Sequence, residues 1–394
     1  MTRRLTLLFA IAGGAAVGNL YWAQPLLDFI ARDLRTNTAA AGALVTSTQL
    51  GYATGVLLLV PLGDVLNRRL LVPVAMLCAA AALLASALAP TFAVLLATLA
   101  LVGLTTVAGQ ILAPLAGDLA DDATRGRVVG TVVSGILTGI LVSRTVSGLI
   151  AGAAGWRAIY VVAALLAIVL AMLLRRAIPD LPPRTRLRYP ALIASVFGIV
   201  RREAAVRWSL VLGGTSFGVF TMFWTALTFL LSAPPFSFSV TAIGLFGLIG
   251  LAGAIAAQRA GRLADRGLGL PAIGAAWLLV LVSFVVAGLG GASVAVVVVA
   301  IVLLDVAIQG HNILVQSRMF QIDPAARSRI NTAFVTNNFV WGAVGSALAA
   351  VLWEAGGWSV ICIAGAVLSG FAFTVWLVGR RGPLAVGTER AASR

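Results

Sequence analysis

Two charged side chains stand where charge is costly, and they define the chemistry open to this sequence. Asp305 and Arg144 each fall well inside a long apolar run. An ionised side chain at a bilayer centre costs roughly 2.5–3.5 kcal/mol even on the lenient insertion scale. Gln309, Asn312 and Gln316 follow Asp305 at i+4, i+7 and i+11, which keeps all four on one narrow helical stripe. A polar stripe on an otherwise apolar helix faces water or protein, not lipid. A carboxyl there can titrate, hold a ligand, or bond a neighbouring helix. Arg144 cannot lose its proton, so it acts as a counter-ion or anion ligand, or as one half of an interhelical pair. His311, the only histidine, is i+6 from Asp305 and about 120° off the stripe. That direction suits helix–helix packing better than a proton relay.

Aromatic and amide side chains accompany the charges. Asn19, Tyr21, Trp22 and Gln24 in the first apolar run, with Phe220, Phe223 and Trp224 in the seventh, can form an amphipathic wall. Gln110, Asn337, Asn338 and Trp341 add amides and another ring. Such a lining suits flat, partly polar small molecules. The bland reading stands beside it: Trp and Tyr also anchor helices at the membrane interface, and Gly14 and Gly18 serve close packing. Cys78 and Cys362 lie in apolar runs without zinc-like spacing, so no metal or disulfide is expected. With no P-loop, Gly-x-Ser-x-Gly elbow or HExxH, neither an enzyme, an ATP drive nor a cofactor is expected.

The elements that position these residues must be membrane helices. The chain is 60% apolar and 10% charged, against about 45–50% and 25% in soluble domains. Breaks at Pro, Gly and charge clusters predict twelve spans near 5–27, 41–62, 70–89, 91–117, 127–151, 156–174, 207–231, 240–258, 271–290, 292–316, 329–352 and 357–378. The fold class is therefore all-α, two six-helix bundles at 1–174 and 207–378. A polar loop, 175–206, joins them, and 379–394 form a polar tail. Arg3-Arg4 and the apolar run to Gly18 imitate a secretory signal. The run continues without an A-x-A-like site, so it is expected to remain as the first helix.

All 28 basic residues are arginines. With both ends and alternate loops on the cytoplasmic side, 24 of the 28 fall there and Arg144 lies within its span; only Arg32, Arg35 and Arg157 fall outside, beside Asp28, Asp33 and Glu354. This is the positive-inside bias, and the excess also suits lipid headgroups. No basic–aromatic module points to nucleic acid. A monomer in a cytoplasmic (inner) membrane, both termini inside, is the expectation.

The halves repeat. PLGDVLNRR with Asp64 returns as GRLADRG with Asp265, 201 residues later. DLADDATRGRVVGT with Arg125 and Arg127 returns as FQIDPAARSRINTA with Arg327 and Arg329, 202 later, and Gln110 matches Asn312 at that offset. Two signatures with a shared offset describe a six-span half duplicated in one orientation, the parallel repeat of transporters that rock two bundles about a central site.

On these residues the chain resembles the major facilitator superfamily over essentially its whole length. GRLADRG, Gly261 to Gly267, matches that family's loop signature, Gly-x-Leu-Ala-Asp-Arg-x-Gly, until its end. In the first copy Asp64, Arg68 and Arg69 fit, while Val60, Val65 and Asn67 depart from it. The fifth span has the spacing of the antiporter signature in Gly130, Gly139, Ser143-Arg144 and Ser147-Gly148, followed by Gly155 to Arg157. NLYWAQPLL, Asn19 to Leu27, resembles the drug and metabolite efflux branch. The resemblance implies that spans one, four, seven and ten line a central cavity. It also implies a cytoplasmic gate at Asp64, Arg68, Arg69 and Asp118, with Asp265 and Arg266 in the second half. Two departures stand out: Arg144 replaces the signature's Pro, and the branch's span-four Arg is absent near Leu99. The reading is proton-coupled efflux of small amphipathic organic molecules, with Asp305 titrating and Arg144 as its cationic companion. The alternative is a facilitator or importer of a polar metabolite such as a sugar or nucleoside.

Overall fold

In a computed structural model the described residues are mostly helical. The structure describes residues 1–181, 188–250, 253, 260, 263, 266–323 and 326–385. Nine stretches among the described residues are long and apolar enough to cross a membrane. One of them, Arg327–Gly379, contains two helices joined where Gly356 and Gly357 leave helical geometry. Helical structure occurs at each of the twelve expected spans.

Two compact units divide the chain: residues 1–193 with 238–248, and residues 194–237 with 249–394. The first unit contains α1 (Arg3–Gly18), a 3₁₀ turn (Gln24–Leu26), α2 (Leu27–Asp33), α3 (Thr38–Leu58), α4 (Leu62–Val65) and α5 (Arg68–Ala87). It continues through α6 (Phe92–Thr105), α7 (Ala108–Leu119), α8 (Arg125–Ala154) and α9 (Trp156–Ala177), and it includes α12 (Val240–Leu245). Helix α1 crosses α8 through facing glycines: a Cβ on Gly14 would lie 2.5 Å from the Gly135 carbonyl. Small residues at such crossings let backbones meet where apolar burial gives no net drive.

Spans one and four differ from their expected continuous helices. Helix α1 stops at Gly18, and the chain turns before a 3₁₀ segment that opens at Gln24, with Pro25, which lacks an N–H, in its second position. Span four breaks between Thr105 and Ala108; the Thr106 N–H is shared by the Val102 and Gly103 carbonyls at 3.0 and 3.3 Å. The two breaks meet, because Asn19 Nδ2 donates to Thr106 Oγ1 at 3.4 Å. Irregular backbone at membrane depth is tolerated where protein surrounds it.

In the second unit the helices are longer. Helix α11 (Ala204–Ser232) runs 29 residues and is buried over most of its length. Helices α13 (Gly269–Leu289), α14 (Val294–Ile322) and α15 (Arg327–Gly379) complete it, and α11 packs mainly on α15. Helix α10 (Tyr189–Arg202) arises within the expected polar loop and straddles the division between units.

The duplication shows in the backbone. Gly155 and Gly357, 202 residues apart, both have positive φ, 82° and 64°. Each ends one helix in a conformation glycine adopts freely, and each is followed by a buried Trp, Trp156 or Trp358, that begins the next.

Candidate functional site

Arg144 is 2% exposed, two-thirds of the way along α8. Its Nε donates to Gln24 Oε1 at 2.7 Å, and its guanidinium carbon lies 4.9 Å from the centre of the Tyr21 ring. Both partners come from the interrupted part of span one, so the break presents an amide and a ring to the cation. Gly247 closes another side: a Cβ there would fall 2.8 Å from Arg144 Cβ. Trp22 Nε1 donates to Asn19 Oδ1 at 2.9 Å, and Ser147 Oγ donates to the Trp22 carbonyl at 2.6 Å. All four expected residues of span one are thus buried around the break. Gln110, on α7, donates to Tyr52 Oη at 3.1 Å.

Asp305 is likewise 2% exposed, the twelfth of 29 residues in α14, about 17 Å along the helix. Trp224 Nε1 from α11 donates to its Oδ1 at 3.2 Å. A Cβ on Gly253 would lie 2.8 Å from the Asp305 carbonyl oxygen and 3.0 Å from its Cβ, so Gly253 sits close against this residue. Further along α14, Ser216 Oγ reaches Asn312 Oδ1 at 3.5 Å, and Gln316 Nε2 donates to Asn331 Oδ1 at 3.0 Å. Gln309, Asn312 and Gln316 are half-buried. His311 is buried edge-on to Trp277, with ring centres 5.1 Å apart.

The expected aromatic wall divides. Phe220 lies 6.3 Å from Trp224 between ring centres, adjoining Asp305. Phe223 instead packs on Phe284 and Trp358 at 5.7 and 5.5 Å, in the core of the unit. Asn337 Nδ2 is held by the Leu210 carbonyl at 2.7 Å, Asn338 is buried against Gly213, and Trp341 lies over Gly214.

The loop residues form a compact cluster in the first unit. Arg68 is buried; its Nε donates to the Gly63 carbonyl at 2.7 Å and NH1 to Asp118 Oδ2 at 2.9 Å. Asp64 contributes a second negative charge to Arg68. Arg69 Nε instead reaches the Arg175 carbonyl at 3.4 Å, and Asn67 bonds Asp180. Arg266 is exposed in a turn; Asp265 lies outside the described residues.

Sequence reasoning passed over Tyr52 and Gln49, which are polar residues i, i+3 on an apolar helix and visible by that spacing, and Thr106, whose role depends on a distant partner. It also gave no role to the cluster of Asp33, Trp156 and Arg157. Trp156 Nε1 and Arg157 NH1 donate to Asp33 Oδ2 at 2.9 and 2.6 Å, and Arg157 NH2 reaches the Ala89 carbonyl at 3.2 Å. The Trp156 hydrogen bond, then Arg157, hold the Asp33 carboxyl below its ordinary range.

Apolar helices interrupted around buried polar residues, with charges confined to their ends and two buried sites, define a multi-pass membrane protein of the transporter kind. The Major Facilitator Superfamily profile matches residues 8–346, and the chain belongs to that family of secondary transporters, which are not enzymes. It is 43% identical over 375 residues to a putative uncharacterized transporter, YgaY, of Escherichia coli (strain K12), covering 95% of each chain. Over 363 residues it is 34% identical to the probable transporter SCO4007 of Streptomyces coelicolor, covering 92% of this chain and 84% of the relative. Among solved structures, the human organic anion transporter MFSD10 superposes with a TM-score of 0.72 at 16% identity, over 95% of this chain and all of that one. The nucleoside transporter NupG gives 0.73 at 14% identity, over 95% and 99%. Both share the fold.

Proposed function

We propose that this transporter exports small amphipathic organic molecules in exchange for protons, with Asp305 as the group that binds and releases the proton. The observation that carries the reading is a buried carboxyl in mid-span, contacted by Trp224 and Gly253, with three half-buried amides along the same helix. Protonation removes the cost of burying the charge and favours a closed packing of α14; release accompanies substrate exchange. Arg144 is the fixed cation, oriented by Gln24 and Tyr21. Aromatic rings beside amides suit flat, partly polar cargo, and NLYWAQPLL supports the efflux branch.

In this reading the bundles 1–174 and 207–378 alternate about the cavity. The loop 175–206, the tail and both ends face the cytoplasm, in keeping with the arginine distribution. Asp64, Arg68, Arg69 and Asp118, with Asp265 and Arg266, form the cytoplasmic gate. Accessibility tagging of residues 175–206 tests the orientation, and a periplasmic result overturns the span map. The function is tested by flux in proteoliposomes, using a ligand found by thermal-shift screening of the purified protein. An imposed pH gradient should drive the ligand uphill. Equal, purely downhill flux with and without the gradient would replace the exchanger by a facilitator.

A further inference from the structure

We propose that α10 is a docking surface for anionic phospholipid headgroups of the membrane that holds the transporter. On a helical wheel, Leu192, Ile193, Val196, Phe197, Ile199 and Val200 share an arc of about 160°. One flank of that arc is covered, since Val196 and Ile199 are buried. The other flank ends in Phe197, which is 54% exposed. Arg201, at i+4 from Phe197, lies beside it, and Arg202 follows on the polar face; both are exposed. An open aromatic edge next to arginines is the pattern of helices that lie in the headgroup region, the ring towards the acyl chains and the cations towards phosphate.

The tether selects the partner. Arg202 is separated from the first residue of α11 by Glu203 alone, and each residue step spans at most about 3.6 Å. The backbones of the two arginines therefore stay within about 11 Å of the start of a membrane helix, where a lipid surface is always present. Arg207 does not share this role: its NH1 caps the end of α10, donating to the Val200 and Arg201 carbonyls at 3.1 and 2.6 Å. At the other end Arg188 is exposed, and Tyr189 Oη donates to the Leu58 carbonyl at the end of α3 at 2.5 Å. Charge around α10 is strongly one-sided, because Asp180 and Glu203 are the only acids between Arg175 and Arg207, against eight arginines. Each arginine at an anionic leaflet strengthens association about fivefold.

The full chain, carrying Cys78→Ser and an environment-sensitive fluorophore on Phe197→Cys, is reconstituted in phosphatidylcholine vesicles with and without phosphatidylglycerol. Lipids bearing a shallow nitroxide should quench the label, more strongly with phosphatidylglycerol, while aqueous iodide should not. In parallel, lipid retention is measured on detergent-purified protein that keeps Phe197. Arg201→Gln with Arg202→Gln should lower the preference for phosphatidylglycerol over phosphatidylcholine by roughly 25-fold, and the double lysine variant should restore most of it. Soluble glycerol phosphate should not displace the lipid, which separates a headgroup in a bilayer from a free phosphate site. Lipid retention unchanged by the glutamine pair would overturn the proposal. So would a label quenched by iodide in both vesicles, or one shielded from both quenchers as at a protein contact.

Discussion

The two halves of this transporter are copies that have kept their packing and diverged in their chemistry. At the offset of 202, Gly51 corresponds to Gly253, and each seats a neighbouring helix backbone: Ala100 in the first half, Asp305 in the second. Gly155 and Gly357 both break a helix with positive φ before a buried tryptophan. The charges obey no such rule. Asp305 corresponds to Gly103, and Arg144 to Ser346, which is fully buried. One copy of the fold is built without each charge, so neither charge is required by the architecture. Residues that carry a burial cost without an architectural need are where function is expected. The halves also solve span geometry differently. Spans one and four break around Asn19 and Thr106, whereas spans seven and ten run unbroken past Trp224 and Asp305.

The strongest test of packing equivalence is a matched pair of substitutions. Gly139→Val at the α1–α8 crossing and Gly345→Val at the α11–α15 crossing each drive a side chain into a facing backbone carbonyl, at Gly14 and Gly218. Each should destabilise by about 3 kcal/mol or more, seen as loss of monodisperse protein in size-exclusion chromatography. A severe effect in one half alone would break the equivalence.

Among the described residues the loop cluster is seen in the first half, and Phe320 stands where the repeat places the counterpart of Asp118. Arg68→Gln removes the bonds to Asp118 and Gly63 and should cost about 2 kcal/mol. Thermal unfolding checks the loss, and hydrogen exchange should localise it to residues 62–72 and 115–119. Asp64→Asn acts on the proposed gate. A change of about 1–3 kcal/mol would shift open and closed populations about 5–150-fold, measured as distances between spin labels at the helix ends on the side that carries Asp64. Unchanged distance distributions would remove Asp64 from the gate.

The smallest effect separates the two tryptophans. Trp156 donates to a carboxylate, and Trp358 to the Ala287 carbonyl at 2.9 Å. Trp156→Phe and Trp358→Phe should each lose about 1 kcal/mol. Only the first should change the pH dependence of melting. Because the Asp33 pKa is depressed in the folded chain, its contribution is present above the ordinary carboxylate value. It fades as pH falls through the depressed one. Removing the Trp156 bond moves that loss upward in pH. Melting curves of parent and variant that stay parallel through this range would contradict the assignment.

Much of this was legible because membrane helices announce themselves by length and apolarity, and because a duplicated chain reveals its repeat through loop charges. Asp305 and Arg144 stood out since charge is rare in such spans. The backbone breaks were not legible. An apolar run carries no mark of where its helix will stop, and the Asn19–Thr106 contact joins residues 87 apart in sequence. Arg144's partners were hidden for the same reason, because Gln24 reaches it only when span one is interrupted. Helix α10 was masked by surrounding arginines and prolines, although Pro190 sits in its first turn, where a missing N–H does little harm.

The central claim is that Asp305 moves the proton, and the asparagine variant tests it most directly. Asp305→Asn keeps shape and hydrogen bonding but cannot titrate. Parent and variant are reconstituted together, with ligand binding and ligand-driven pH change inside the vesicles measured on the same samples. The account predicts that the variant still binds ligand, and still exchanges it for itself, while ligand-driven proton movement falls to the level of empty vesicles. Proton movement at the parental rate in Asp305→Asn would make Asp305 a packing residue and remove the exchanger mechanism.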